Sequence, residues 1–153
     1  MKKFGKILTA VLIFGLLVVL PAAAQKTKAD FQKMYMDYLK KKGFKCEILD
    51  NGNVYFVQDI WAFFIIVNES NPQKYQVYTY TDGMESHSRL ALLSAANQVN
   101  NDCYGAKVLL SDDGKYAYFI VEFLLLKPKD FQLVFDDVLS IIKNAVYSLI
   151  EEL

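Results

Sequence analysis

Residues 106–126 read AKVLLSDDGKYAYFIVEFLLL, and this stretch decides the fold class. Ser111-Asp112-Asp113-Gly114-Lys115 is turn chemistry: Asp tolerates left-handed backbone, Gly adopts positive φ without steric cost, and apolar runs flank both. The segment therefore reads as a β-hairpin. In its outgoing arm Ala117, Phe119, Val121, Phe123 and Leu125 are all apolar, whereas Tyr116, Tyr118, Ile120, Glu122 and Leu124 are mixed. One face of that strand belongs to a core and the other is amphipathic.

Working outward toward the N-terminus, Ser86 or Ser88 caps a second helix reaching to about Asp102, with Leu92, Ala96, Val99 and Cys103 on one side and Leu93 and Asn100 beside them. Ahead of it comes a meander. Lys45–Leu49 and Val54–Gln58 flank Asp50-Asn51-Gly52-Asn53, an Asn-Gly hairpin turn. Asp59-Ile60 leads into Trp61–Val67, where both parities are apolar, so that strand is expected at the centre of the sheet and covered, at least in part, on both faces. After a loop containing Pro72, Lys74–Thr81 alternates Tyr75, Val77, Thr79 against Gln76, Tyr78, Tyr80.

A first helix is expected from about Lys28 to Lys42, with Phe31, Met34, Tyr35, Tyr38 and Leu39 at helical spacing, Thr27 or Asp30 as cap and Gly43 as the left-handed residue after its end. Beyond the 106–126 hairpin, Lys127-Pro128-Lys129-Asp130 breaks the strand. Phe131, Phe135, Val138, Ile142, Val146, Leu149 and Leu153 then form a sustained apolar stripe on the longest helix. Taking the meander as three strands, the order is α-β-β-β-α-β-β-α. The expected fold is α+β and two-layered, an antiparallel five-stranded sheet with helices on one face.

The first residues stand apart from this domain. Lys2, Lys3 and Lys6 form a basic start, Ile7–Leu20 an apolar run, and Ala22 and Ala24 a small-x-small cleavage signature. The expectation is a cleaved Sec signal peptide over residues 1–24 and a single domain over 25–153, in the periplasm or secreted from a bacterial cell. The apolar run is shorter than the roughly 20 residues that span a bilayer, so no membrane attachment is expected after cleavage. Removing its three lysines, and no acid, takes 17 basic against 17 acidic residues to 14 against 17, a net charge of −3. A nucleic-acid binder shows a basic stripe. Here the basic residues are scattered, except for Lys40-Lys41-Lys42 at a helix end, where cations complement the helix dipole.

The residue patterns also bear on chemistry. His87 is the single histidine, within Ser86-His87-Ser88, and no placed acid or oxyanion site accompanies it. One His and two separated Cys make no zinc pattern, the Asp-Asn-Gly and Asp-Asp-Gly loops lack the spaced acids of a calcium loop, and no Gly-rich phosphate loop occurs. No catalytic residue, cofactor or metal is assigned, and the chain is expected not to be an enzyme. Cys46 and Cys103 allow one disulfide, which an oxidising compartment would favour and burial of both thiols as apolar residues would not. Tyr55, Tyr78, Tyr80, Tyr116 and Tyr118 are the candidate interaction face, since a two-layer fold leaves one sheet face without helices. Tyrosines also simply suit strands.

Several of these segments together resemble the YbjN family, bacterial proteins described as sensory transduction regulators, with a fold similar to type III secretion chaperones. The likeness rests on Gly43-Phe44, the Asp50–Asn53 turn, Ala96-Asn97-Gln98-Val99-Asn100, Lys107-Val108 through Asp112-Asp113-Gly114, and Glu122-Phe123-Leu124-Leu125 before the last helix. It covers essentially all of residues 25–153 and brings no catalytic residues with it. It implies a non-catalytic, chaperone-like or regulatory interaction domain whose partner is another protein or a second copy in a homodimer. The alternative is a small-ligand sensor or enzyme with a site between the sheet and the last helix. The export signal departs from a cytoplasmic regulatory or chaperone role.

Overall fold

The computed structural model describes residues 27–153; the expected signal peptide over 1–24 lies outside the described residues. The chain opens with α1 (Lys28–Lys41), fixed at its start by a reciprocal cap: the Thr27 side chain accepts from the Asp30 amide, and the Asp30 carboxylate accepts from the Thr27 amide at 2.8 Å. Gly43, with φ of 85°, turns the chain out of the helix. Then follow β1 (Lys45–Ile48), β2 (Val54–Gln58), β3 (Trp61–Ile66), β4 (Lys74–Thr81), α2 (Arg89–Asp102), β5 (Ala106–Leu110), β6 (Ala117–Leu124) and α3 (Phe131–Glu151). Short 3-10 turns at Met84–Ser86 and Pro128–Asp130 precede the second and third helices.

The strands form one antiparallel sheet in the order β1-β2-β3-β4-β6-β5. It has six strands where five were expected: the four extended segments of the meander, taken together as three strands, are each a separate strand, with β1 pairing with β2 from Lys45↔Val57 to Ile48↔Val54. The expected two-layer arrangement is present. On the helix side, Val54, Phe56, Phe63, Ile65, Val77, Ala117, Phe119 and Val121 are almost wholly inaccessible, each packed beneath the helices. α3 lies over the sheet on this side through Phe131, Phe135, Val138, Ile142 and Leu149, all fully buried, and each such side chain stabilises the fold by about 2–3 kcal/mol.

The second parity of β3, Ala62, Phe64 and Ile66, is covered only in part, half-buried with no helix over it among the described residues. Neighbouring rings do the covering: Tyr55 and Tyr78 lie 5.3 and 4.7 Å from Phe64 between ring centroids.

Of the two readings left open for the cysteines, the structure has the unbridged one, with both free. Cys46 is on β1 at one edge of the sheet, and Cys103 ends α2 just ahead of β5 at the opposite edge. Five strand spacings amount to roughly 24 Å, whereas bridged Cα atoms stand no more than about 7 Å apart. Cys46 packs against the core beside Phe56, and the Cys103 thiol faces the Ser148 hydroxyl at 3.6 Å.

The two edges of the sheet are finished differently. On β5, the Asn100 side chain of α2 takes both backbone groups of Val108, with Oδ1 accepting from the amide at 2.6 Å and Nδ2 donating to the carbonyl at 3.1 Å. A side-chain amide thus occupies a site where another strand would pair. Asn100→Ala leaves both groups of a part-buried peptide without these partners, so it should lower unfolding free energy by about 1–3 kcal/mol in denaturant titration.

Burial also couples stability to alkaline pH. Desolvation pushes the Tyr35 hydroxyl up to about 12, and pushes that of Tyr75, fully buried with no hydrogen-bond partner among the described residues, well above its ordinary value. In the unfolded chain a tyrosine ionises near about 10. Above that pH the unfolded state binds fewer protons than the folded one, so stability present below about 10 is lost as pH rises toward 12 and beyond. Tyrosinate absorbance should show Tyr35 and Tyr75 ionising together with loss of the fold; ionisation in the intact fold near pH 10 would contradict it.

Candidate functional site

Antiparallel pairing puts residues opposite one another on the same face, so register determines what the helix-free side of the sheet presents. One row runs Glu47, Tyr55, Phe64, Tyr78, Ile120, Lys107, each opposite the next. A neighbouring row holds Tyr80 opposite Tyr118, and Tyr118 opposite Leu109. Four of the five candidate tyrosines therefore share this face by register. Tyr116, just ahead of β6, joins them through ring contacts with Tyr80 at 5.8 Å and Tyr118 at 6.4 Å.

Sequence reasoning missed the centre of this cluster. Phe64 touches Tyr55, Tyr78 and Tyr80, the last at 5.9 Å, and links rings that would otherwise form separate groups. The signal was present in β3, where Ala62, Phe64 and Ile66 alternate with Phe63 and Ile65, but two apolar parities cannot say which neighbours cover them. Phe64 and Tyr78 are stacked with 13° between their planes, so these two rings stand side by side. Tyr80 is 46% exposed and Leu109 52%, while Tyr55, Tyr78, Tyr116 and Tyr118 are half-buried among one another. Desolvation, and then the adjacent Tyr118 and Tyr80 hydroxyls, raise the Tyr78 pKa.

Charged and amide groups border the aromatic centre. Glu122 pairs with Lys74 at 3.0 Å and accepts from the Gln76 amide at 2.7 Å, and Lys107, Lys45 and Glu47 lie on the two outer strands. An apolar, ring-rich centre within a polar rim is the anatomy of a protein-contact surface. A surface of this kind buries apolar ring area and offers phenol hydroxyls as hydrogen-bonding groups.

The remaining sequence candidates have local structural roles. Ser88 caps α2 by accepting from the Ala91 amide, Ser86 donates to the Gly83 carbonyl, and His87 lies half-buried between them. Among the described residues, no group of three or more His, Cys, Asp or Glu side chains is placed to hold a metal, and no helix is long and apolar enough to cross a membrane. Lys42, at the end of α1, is bound at 2.6 Å by Asp136, a contact that raises its pKa. It helps line an open groove of about 640 Å³ with Tyr38, Lys129 and Gln132.

With this geometry in hand, comparison with solved structures defines the class: the chain has a YbjN-like α+β fold. The E. coli protein YbjN, described as a candidate transcription regulator, matches with a TM-score of 0.59 at 11% identity, over 74% of this chain and 87% of that one. An uncharacterised protein from Methanothermobacter thermautotrophicus matches with a TM-score of 0.55 at 13% identity, over 79% and 97%. The HopA1–SchA chaperone–effector complex aligns with a TM-score of 0.48 at 12% identity, over 74% and 93%. No protein-family model and no curated protein matches the sequence.

Proposed function

We propose that the chain is a non-catalytic interaction protein, chaperone-like or regulatory, which binds a protein partner through the helix-free face of its sheet. The observation that carries this reading is the connected cluster of six rings, Tyr55, Phe64, Tyr78, Tyr80, Tyr116 and Tyr118, with no helix over it among the described residues. Aromatic side chains carry much of the energy of protein interfaces. Contact with DNA, which the description of YbjN would suggest, is not carried over. The expected mature chain has a net charge of −3, and the rim mixes Lys45, Lys74 and Lys107 with Glu47 and Glu122 rather than forming a basic stripe.

We place this activity outside the cytoplasm of a bacterial cell, on the evidence of the leader sequence alone. Its Lys-rich start, apolar run and Ala22-x-Ala24 end are what an export signal requires. In a fractionated expression host, mass spectrometry should find the protein in the periplasm beginning at Gln25. A cytoplasmic product retaining residues 1–24 would overturn the assignment.

A photo-cross-linking amino acid placed at Tyr80 or Tyr118, and for contrast at exposed Ser94 on α2, tests the face in living cells. Discrete protein adducts from the first two positions and not the third are expected. Adducts equally abundant at Ser94, or none from the sheet, would sink the reading. With the captured partner purified, Tyr80→Ala should weaken binding about 10- to 100-fold while leaving the thermal unfolding midpoint close to that of the parent.

A further inference from the structure

Asn100 occupies the outer side of β5, but β1 at the other edge has no such cover among the described residues. The Leu49 amide donates inward to the Asn53 carbonyl at 2.9 Å, so in the alternating antiparallel ladder Lys45 and Glu47 also face β2, while the backbone groups of Cys46 and Ile48 point outward. Those outward groups have no hydrogen-bond partner among the described residues. Ile48 is 48% exposed. Lys45 and Glu47 are both exposed on the helix-free face, and neither has an ion-pair partner among the described residues.

We propose that a second copy of this chain occupies the edge, pairing β1 antiparallel with the partner's β1 about a two-fold axis through Cys46. Charge decides both occupant and register. A two-fold axis perpendicular to the sheet keeps each residue on its own face, so only residues of like parity can stand opposite. Centring the axis on Lys45 opposes two lysines, and centring it on Glu47 opposes two glutamates. Centring it on Cys46 places Lys45 opposite the partner's Glu47 and Glu47 opposite the partner's Lys45. Both couples fall at the closely spaced, non-hydrogen-bonded positions of the ladder, where cross-strand charges interact best. A lone edge lysine would discourage pairing, but a Lys and a Glu two residues apart make the edge self-complementary. The result is a continuous twelve-stranded sheet with both aromatic faces on the same side.

This inference does not rest on the reading of the aromatic face, and its test leaves the tyrosines untouched. Sedimentation velocity of the purified protein across a concentration series should show a reversible dimer. Glu47→Lys or Lys45→Glu alone converts both attractive couples into repulsive ones and should raise the dimer dissociation constant about tenfold or more. The double variant Lys45→Glu/Glu47→Lys should restore it. At the hydrogen-bonded Cys46 position the two Cα atoms would stand about 5.5 Å apart, so a short bis-maleimide should link Cys103→Ser protein into a dimer and should not link Cys46→Ser protein. A monomer at every concentration, or a dimer indifferent to both the charge reversals and the loss of Cys46, overturns the proposal.

Discussion

Phe135 is the contact on which the arrangement of layers depends. Its ring meets Tyr38 of α1 edge-on at 5.1 Å, Phe44 at the entrance to β1 at 6.0 Å and Phe56 of β2 at 5.6 Å. One fully buried side chain thus joins the last helix to the first helix and the first hairpin, elements roughly 90 residues away along the chain. Phe131, one turn earlier, does the same toward Tyr35 and Tyr75. Because α3 draws the other helices to its own side of the sheet, the opposite face is left to its side chains alone.

That exposure explains the chemistry of the open face. A sheet covered by helices can be uniformly apolar, but one open to water needs side chains that pack laterally and keep a polar atom in solvent. Tyrosine does both. The rings shelter one another and Phe64, so the face packs laterally without a second layer. The same arrangement suits it to receive a partner, because side chains already held by their neighbours lose little freedom on binding.

The parts of this structure that could be read from sequence are those set by local rules. The Asn51-Gly52 and Asp113-Gly114 turns, the Thr27 and Ser88 caps, Gly43 and the apolar stripe of α3 follow from backbone preferences within a few residues. The tyrosine alternation in β4 and β6 was also legible, because strand side chains alternate strictly. What lay beyond sequence depends on which strands become neighbours. Phe64 looked like a two-sided core residue because nothing in Trp61–Val67 reveals that Tyr55 and Tyr78 will flank it. Cys46 and Cys103 looked pairable because sequence does not show that they end on opposite edges. Asn100 was visible only as a polar residue beside an apolar helix face, and its role became clear once Val108 was placed next to it.

The strand order has a consequence for the way the chain comes together. β5 precedes β6 in sequence but lies outside it, so β6 enters the sheet between β4 and β5 and completes both ladders at once. Until residues 117–124 are available, Tyr75, Val77 and Thr79 belong to a strand whose second edge is unpaired, and β5 has no strand to pair with. A polypeptide made from its N-terminus therefore cannot close its sheet or seat α3 until nearly all of it has been synthesised. Pairing across such separations is slow because loop closure must precede the contacts that reward it. Such lateness leaves any N-terminal fragment that stops short of Ala117 with an open sheet and no seat for its last helix.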